Sequence, residues 1–168
     1  YTYGTISLGN QCWMDEYLRV ITYRDGTPIP TGLSGGLGGE WSTATEGAYA
    51  ENNPSVYGIL YNWLAINDTG GLCLSGWHIT SDDEWWNLNS YLGGMGVAGG
   101  KLKETGTTHW NSPNEGATDE YGFTSLPGGE RSSYNGNLNF LNTYSSYWTT
   151  DWRTYFSWSN HKWTMNYN

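Results

Sequence analysis

Hydrophobic and polar positions alternate at a two-residue spacing near the start of the chain and again near its end. The segment "TYGTISLG" alternates as a strand does and runs into a Gly-Asn turn. The following segment, "QCWMDEYLRVITYRDGTPIP", is predicted to be extended and broken at Asp25-Gly26. Towards the end, Asn135-Gly136 is a hairpin-turn signal that precedes three short strand-like pieces, "FLNTYSSYWTT", "TYFSWS" and "HKWTMNY". The pattern predicts an N-terminal strand and a C-terminal run of antiparallel strands.

Two segments carry the three-to-four-residue spacing of apolar positions that is typical of helices. The segment "NPSVYGILYNWLAI" is predicted to form one helix with Asn53 as its cap, although Gly58 weakens that prediction. In "TSDDEWWNLNSYLGG", Ser81 and Glu84 form a capping box in front of a clear apolar stripe. The Gly-rich segment "TGLSGGLGGE" lacks the ending of a phosphate-binding loop and is predicted to be a connector.

The length and composition fit one α+β domain that spans residues 1–168. Two helices followed by a meander, with long irregular loops between them, indicate that class. Only 37% of the residues are hydrophobic and 14% charged, whereas aromatic residues reach 17%. Each buried Trp or Tyr removes about 150–250 Å² from water, so such a chain can still build a core.

The net charge of −9 and the isoelectric point near 4.5 limit the kinds of partner that the chain is expected to bind. Binding to a phosphate backbone requires clustered Lys and Arg, and the seven present here are scattered. Nucleic acid is therefore not an expected partner. No apolar run approaches the roughly 18 residues of a membrane span, so no membrane insertion is expected either.

The sequence leaves the redox and metal chemistry open. Cys12 and Cys73 could form one disulfide or remain two thiols, with a modest preference for the bridge because the composition is typical of extracellular proteins. No His and Cys cluster has zinc spacing. Oxygen-bearing Asn111, Asn114 and Asp119-Glu120 lie in a turn-rich loop and make calcium possible, although their spacing matches no EF-hand. The metal ligands are thus unknown, and no other cofactor is expected.

No constellation of catalytic residues stands out. Asp82, Asp83 and Glu84 are explained by the start of a helix, where negative charge is favourable. There is no nucleophile motif around a serine or either cysteine. The chain is predicted not to be an enzyme, and no catalytic residue is assigned.

The C-terminal segment "SYWTTDWRTYFSWSNHKWTMNYN" is dense in Trp and Tyr, mixed with Asn, Ser and Thr. Strand alternation lets one face supply core and the other a surface. Rigid aromatic rings with small amides and hydroxyls are favoured in binding surfaces, and flat rings suit sugars. The alternative is that all these rings belong to the core. The predicted ligand-binding residues are Trp148, Trp152, Tyr155, Trp158, Asn160, His161, Trp163 and Asn166.

Several motifs, in order along the chain, carry a family resemblance. These are "GNQCWMDEYLR", "YGILYNWLAI", "LCLSGWHITSDDEW", "YLGGMGVAGGKLKETGTTHWNSPNEGATDEYGFTSLPGGERS" and "YWTT". Together they resemble the Fibrobacter succinogenes major paralogous domain over essentially the whole chain. That family is similar to the formylglycine-generating-enzyme branch of the C-type lectin fold. The segment "GWHITSDDEW" resembles the motif at the start of a helix in that branch, with Thr80 where Pro is usual.

The resemblance implies a C-type lectin-like domain, with two helices packed on a twisted antiparallel sheet. It implies bacterial proteins that are extracellular or attached to the cell surface, and kinship with the variable proteins of diversity-generating retroelements, which carry their changeable residues near the C-terminus of this fold. Two features depart from the family pattern. The usual final strand ending Gly-Phe-Ser-Val-Arg-Cys is missing, and the copper-binding cysteine pair of the enzyme branch has no counterpart. The second departure argues against formylglycine-generating activity.

The expected function is non-catalytic ligand binding by the C-terminal surface, with a surface glycan or a protein receptor as the partner. The alternative is a structural subunit of an extracellular fibre or phage tail, which would self-associate by strand sharing.

Overall fold

The N-terminal strand prediction is confirmed by a hairpin across the Gly9-Asn10 turn. In it, β1 (Thr5–Leu8) pairs antiparallel with β2 (Gln11–Met14). The computed structural model describes residues 2–151 and 162–166, and for residues 162–164 and 166 it describes the backbone only. Within it, contacts between Cα atoms group the chain into two compact units.

The first unit contains Tyr1–Tyr17, Thr80–Gly129 and Phe140–Asn168. Besides β1 and β2 it holds two helices, α3 (Asp82–Tyr91) and α4 (Ala98–Leu102), and two strands, β7 (Tyr144–Trp148) and β8 (Lys162–Asn166). Its core is aliphatic and aromatic: Leu8, Trp13, Trp85, Leu88, Leu92, Ala98, Leu102 and Phe123.

Helix α3 begins where the sequence predicts. The Ser81 hydroxyl accepts a hydrogen bond from the Glu84 backbone N–H (3.2 Å), and the Glu84 carboxylate accepts one from the Ser81 N–H (2.8 Å). This reciprocal capping box satisfies two donors that a helix start otherwise leaves unpaired. Helix α4, with the sequence "AGGKL", was not predicted, because two glycines in five residues oppose a helix. Burial of Ala98 and Leu102, four residues apart, favours it instead.

The second unit contains Leu18–Ile79 and Glu130–Asn139. The single helix predicted over residues 53–66 is wrong. The segment instead forms α1 (Pro54–Tyr57), β4 (Ile59–Tyr61) and α2 (Trp63–Ile66), and β4 pairs with β3 (Tyr49–Glu51). Gly58 has a φ of 72°, a left-handed conformation that ends the first helical turn and that glycine adopts readily.

An arginine holds together the loops of the second unit. The guanidinium carbon of Arg131 lies 4.2 Å from the centre of the Trp41 ring, and its N–H groups donate to the carbonyls of Leu33 and Gly136. Gly136 belongs to the connection between β5 (Glu130–Arg131) and β6 (Leu138–Asn139), so the hairpin predicted at Asn135-Gly136 is confirmed.

The α+β prediction is confirmed in its coarser form: few helices are mixed with small antiparallel sheets. In the described residues the strands pair two by two in four sheets, β1-β2, β3-β4, β5-β6 and β7-β8. Among the helices described, none is long and apolar enough to cross a lipid bilayer.

Both cysteines are free thiols in the structure, so the preference for a disulfide is wrong. Cys12 is exposed on β2, whereas Cys73 is buried in the second unit. Burial raises the pKa of the Cys73 thiol from 9.0 to about 11, and the nearby positive charge of Arg24 opposes this shift only in part.

We predict one fast and one slow thiol in alkylation by iodoacetamide followed by mass spectrometry. Because the thiolate is the reactive form, folded protein at neutral pH should be modified quickly at Cys12 and slowly at Cys73. In denaturant both should react quickly. Cys12→Ser should abolish the fast reaction alone, and rapid modification of Cys73 in the folded protein would contradict its burial.

Candidate functional site

The C-terminal hairpin of the first unit is the candidate site. Strand β7 pairs antiparallel with β8 in a register that runs from Tyr144 opposite Asn166 to Trp148 opposite Lys162. Directly opposed residues lie on the same face of a two-stranded sheet, and successive residues alternate between faces. The hairpin therefore has an inner face, with Ser145, Tyr147 and their partners, and an outer face, with Tyr144, Ser146, Trp148 and their partners.

Four hydroxyl groups fix the inner face. We call Tyr17, Ser125, Ser145 and Tyr147 the hydroxyl cluster. The Tyr147 hydroxyl donates to Ser125 Oγ (2.8 Å), and Ser125 Oγ donates to Ser145 Oγ (2.9 Å). Ser125 and Ser145 are both 1% exposed. Buried polar groups cost stability unless they are hydrogen-bonded, and here each hydroxyl has a partner.

Tyr17 connects this cluster to the backbone of a neighbouring loop. Its hydroxyl donates to the Leu126 carbonyl (2.7 Å) and accepts from the Leu126 N–H (2.6 Å). The same oxygen lies 3.1 Å from the Tyr147 hydroxyl and 3.3 Å from Ser145 Oγ. The loop after Phe123 and strand β7 are thus held together through one phenol.

Aromatic packing adds to these hydrogen bonds. The centre of the Tyr147 ring lies 5.1 Å from that of Trp85 and 6.1 Å from that of Phe123, and it stacks on Tyr17 at 6.0 Å. Burial raises the pKa of Tyr147 well above its ordinary value, and its hydrogen bonds with Ser125 and Ser145 oppose the shift only in part. The phenol therefore stays protonated far into the alkaline range.

The outer face is only half-buried. Tyr144 and Trp148 are partly exposed, whereas the Oγ atom of Ser146 is buried and has no hydrogen-bond partner among the described residues. The ring of Tyr144 meets that of Phe140 edge-on at 4.8 Å. By register, the opposing backbone positions are Asn166, Thr164 and Lys162. This face brings aromatic, hydroxyl, amide and cationic residue types together on one small sheet.

The chain that leaves β7 is tied to the start of α3. Thr149 is 2% exposed, and the Thr150 N–H donates to the Thr80 carbonyl (3.0 Å). The Asp151 carboxylate accepts from the Asp82 N–H (3.1 Å) in the first helical turn, where negative charge is favourable. The segment that follows Asp151 therefore begins from a fixed point.

The predicted site residues can be placed as follows. Trp148 lies at the end of β7 on the outer face, and Asn166 takes a position on that face opposite Tyr144. Trp163 takes a position opposite Tyr147, on the inner face. Five of the eight predicted residues lie outside the described residues, and their roles stay predictions: Trp152, Tyr155, Trp158, Asn160 and His161.

The four residues considered for calcium each have protein partners. The Asp119 carboxylate accepts from the backbone N–H and the hydroxyl of Thr124 (both 2.8 Å), and Glu120 pairs with Lys101 (3.1 Å). Asn114 donates to two loop carbonyls, but its Oδ1 is buried without a hydrogen-bond partner among the described residues. Asn111 donates to the Thr143 hydroxyl. Within residues 2–151 and 162–166, no three His, Cys, Asp or Glu side chains cluster as a metal site. Calcium binding stays a prediction.

The sequence prediction missed Tyr17, Ser125 and Ser145. Tyr17 is separated from Ser145 by 128 positions, so no local pattern points to their contact. It also missed Tyr144 and Ser146 as members of the outer face. Strand alternation outward from Trp148 is the signal that would have found them.

Fold and site together define a small mixed α/β domain that holds a C-terminal hairpin on its core through buried hydroxyls. The family model of the Fibrobacter succinogenes major domain matches residues 6–166, and the chain belongs to that family. No curated protein and no solved structure matches the chain.

We predict that Tyr147→Phe lowers the free energy of unfolding by about 1–2 kcal/mol, because Ser125 and Tyr17 lose a buried partner. In the folded protein the pKa of Tyr147 is raised, so its buried neutral hydroxyl contributes its full stabilisation below the unfolded-state pKa of about 10. That contribution is lost as the pH rises from there through the folded-state pKa. The variant should thus lose less stability than the wild type as the pH rises past that value. Denaturant unfolding across pH measures both effects.

Tyr134→Phe is the matched control, since Tyr134 is 74% exposed. It should leave both the unfolding free energy and its alkaline dependence unchanged. Equal stability of Tyr147→Phe and wild type at neutral pH would show that the hydroxyl cluster does not hold the hairpin.

Proposed function

We propose that this domain is a non-catalytic ligand-binding module that uses the outer face of the β7–β8 hairpin and the segment after it. The single observation that carries the proposal is the asymmetry of the hairpin. Its inner face is tied to the core by Ser145, which is 1% exposed, and by the hydrogen-bonded hydroxyl of Tyr147, whereas Tyr144 and Trp148 on the outer face are partly exposed. A surface presented on so fixed a support loses little conformational entropy on binding.

The chemistry of this face suits a surface glycan or a protein receptor. Aromatic rings offer flat contact area, and hydroxyl and amide groups beside them offer hydrogen bonds. Tyr144 and Trp148 lie four residues apart on the same face of β7, so their positions are separated by about 13 Å along the strand.

Membership in the family supports the finer proposals. We propose that the domain has the C-type lectin-like fold and acts at the bacterial cell surface, in the extracellular space or on a phage particle. Kinship with the variable proteins of diversity-generating retroelements is proposed on the same ground. The outer face of the hairpin and the segment after it would then correspond to the region whose residues vary among those proteins.

The test is a glycan array probed with fluorescent tetramers of the domain, alongside a panel of purified bacterial surface proteins. Trp148→Ala and Trp152→Ala should each weaken binding to any recognised probe by at least about tenfold, as removal of a central aromatic contact does. Trp86→Ala is the matched control, because Trp86 is 40% exposed on α3 and should not matter. Unchanged binding in both hairpin variants would place the site elsewhere.

A structural subunit that assembles by strand sharing is the second candidate. In the described part of the chain β8 pairs only with β7, so one edge of that two-stranded sheet can accept a further strand. Light scattering during size-exclusion chromatography should then show concentration-dependent oligomers, and Trp148→Ala should not abolish them. A stable monomer at the highest attainable concentration would exclude this candidate.

A further inference from the structure

Phe140, which follows β6 directly, has a backbone conformation that bulky residues rarely adopt. Its φ is 61°, in the left-handed region that glycine and asparagine favour. The surrounding turn holds it there. The Phe140 carbonyl accepts from the N–H groups of Thr143 (2.9 Å) and Tyr144 (3.0 Å), and the Asn142 N–H donates to the Pro127 carbonyl (2.9 Å). Such a conformation costs free energy, so it persists only where the rest of the structure imposes it.

Phe140 differs from the other residues that share this conformation. Six residues other than glycine have a positive φ in the described part of the chain, and four of them are asparagine or aspartate, which tolerate it. Thr124 is compensated, because its N–H and its hydroxyl both donate to the Asp119 carboxylate. The Phe140 side chain has no polar group, and it is 49% exposed although its ring meets that of Tyr144 edge-on at 4.8 Å. A bulky ring that is both strained and half-exposed indicates a role outside the fold.

The surroundings of Phe140 are apolar and uncharged. Leu141, the next residue, is 43% exposed, and Tyr144 is partly exposed on the outer face of the hairpin. We call Phe140, Leu141 and Tyr144 the apolar corner. No charged residue occurs from Phe140 to Thr150, although the chain has 16 acidic and 7 basic residues. The cores of protein–protein interfaces are likewise depleted of charge and enriched in aromatic residues, and neighbouring exposed apolar side chains mark such interfaces.

We propose that the apolar corner extends the ligand-binding face and receives an uncharged aliphatic or aromatic side chain of a protein receptor. The inference rests on the proposed function and selects the protein receptor over the glycan. Phe140 and Leu141 have no polar side-chain atom, so they leave the hydroxyl groups of a sugar without hydrogen-bond partners once water is displaced. An apolar side chain needs no such partner and gains free energy when it leaves water.

The test is a selection of phage-displayed random dodecapeptides on the immobilised protein, followed by fluorescence polarisation with the enriched peptides. These peptides should share an aliphatic or aromatic residue. They should bind Phe140→Asn at least about tenfold more weakly than the wild type, as removal of a central aromatic contact does. The urea midpoint of Phe140→Asn should stay near the wild-type value, because asparagine relieves the left-handed backbone and so offsets the lost contact with Tyr144.

Leu141→Asn removes the second apolar side chain, should weaken binding in the same direction, and tests the corner if Phe140→Asn does not fold. Met95→Asn is the matched control, because Met95 is 71% exposed between α3 and α4 and its loss should leave binding unchanged.

Peptides without a shared apolar residue, or wild-type affinity in Phe140→Asn or Leu141→Asn, would overturn the inference. If Trp148→Ala alone weakens binding, the proposed function survives and the corner does not belong to the site. If none of these three variants weakens binding, both proposals fail. Recognition of glycans alone, with wild-type affinity in Phe140→Asn, would overturn the choice of a protein receptor.

Discussion

The hydrogen bonds among Tyr17, Ser125, Ser145 and Tyr147 are the constraint on which the C-terminal hairpin depends. A slip of one residue in β7 would bring Tyr144 and Ser146 to the inner face and leave the buried hydroxyls without their partners. An apolar inner face would specify this register less strictly, since hydrophobic contacts have no direction. The cluster therefore determines which residues form the outer face, and every proposal for that face assumes the register it sets.

The sequence correctly predicted those parts of the fold in which the interacting residues are close together along the chain. The capping box of α3 and the β1–β2 turn each lie within a few positions, so their partners are visible in the sequence. The prediction of one helix from Asn53 to Ile66 was wrong because the apolar spacing of this segment also fits a short strand between two helical turns. There the left-handed Gly58 and the Asn62 side chain, which accepts from the N–H groups of Ala48 and Ala65, decide against a continuous helix.

The candidate site was predictable in part for the same reason. Strand alternation predicted that one face of the C-terminal strands supplies core and the other a surface, and the register of β7 and β8 produces two such faces, with Trp148 on the outer one. The bonds of Tyr17 in the hydroxyl cluster join residues more than a hundred positions apart, so no local pattern contains them.

The two-residue period of β8 separates two kinds of chemistry on one strand. Met165 packs against the core of the first unit and lies opposite Ser145, whose hydroxyl belongs to the hydroxyl cluster. Thr164 and Asn166, its neighbours in the chain, take positions on the outer face. Changes at the outer positions therefore leave the inner contacts intact, since a strand directs alternate residues to opposite sides. A hairpin of this kind can therefore change its outer residues without losing its attachment to the core.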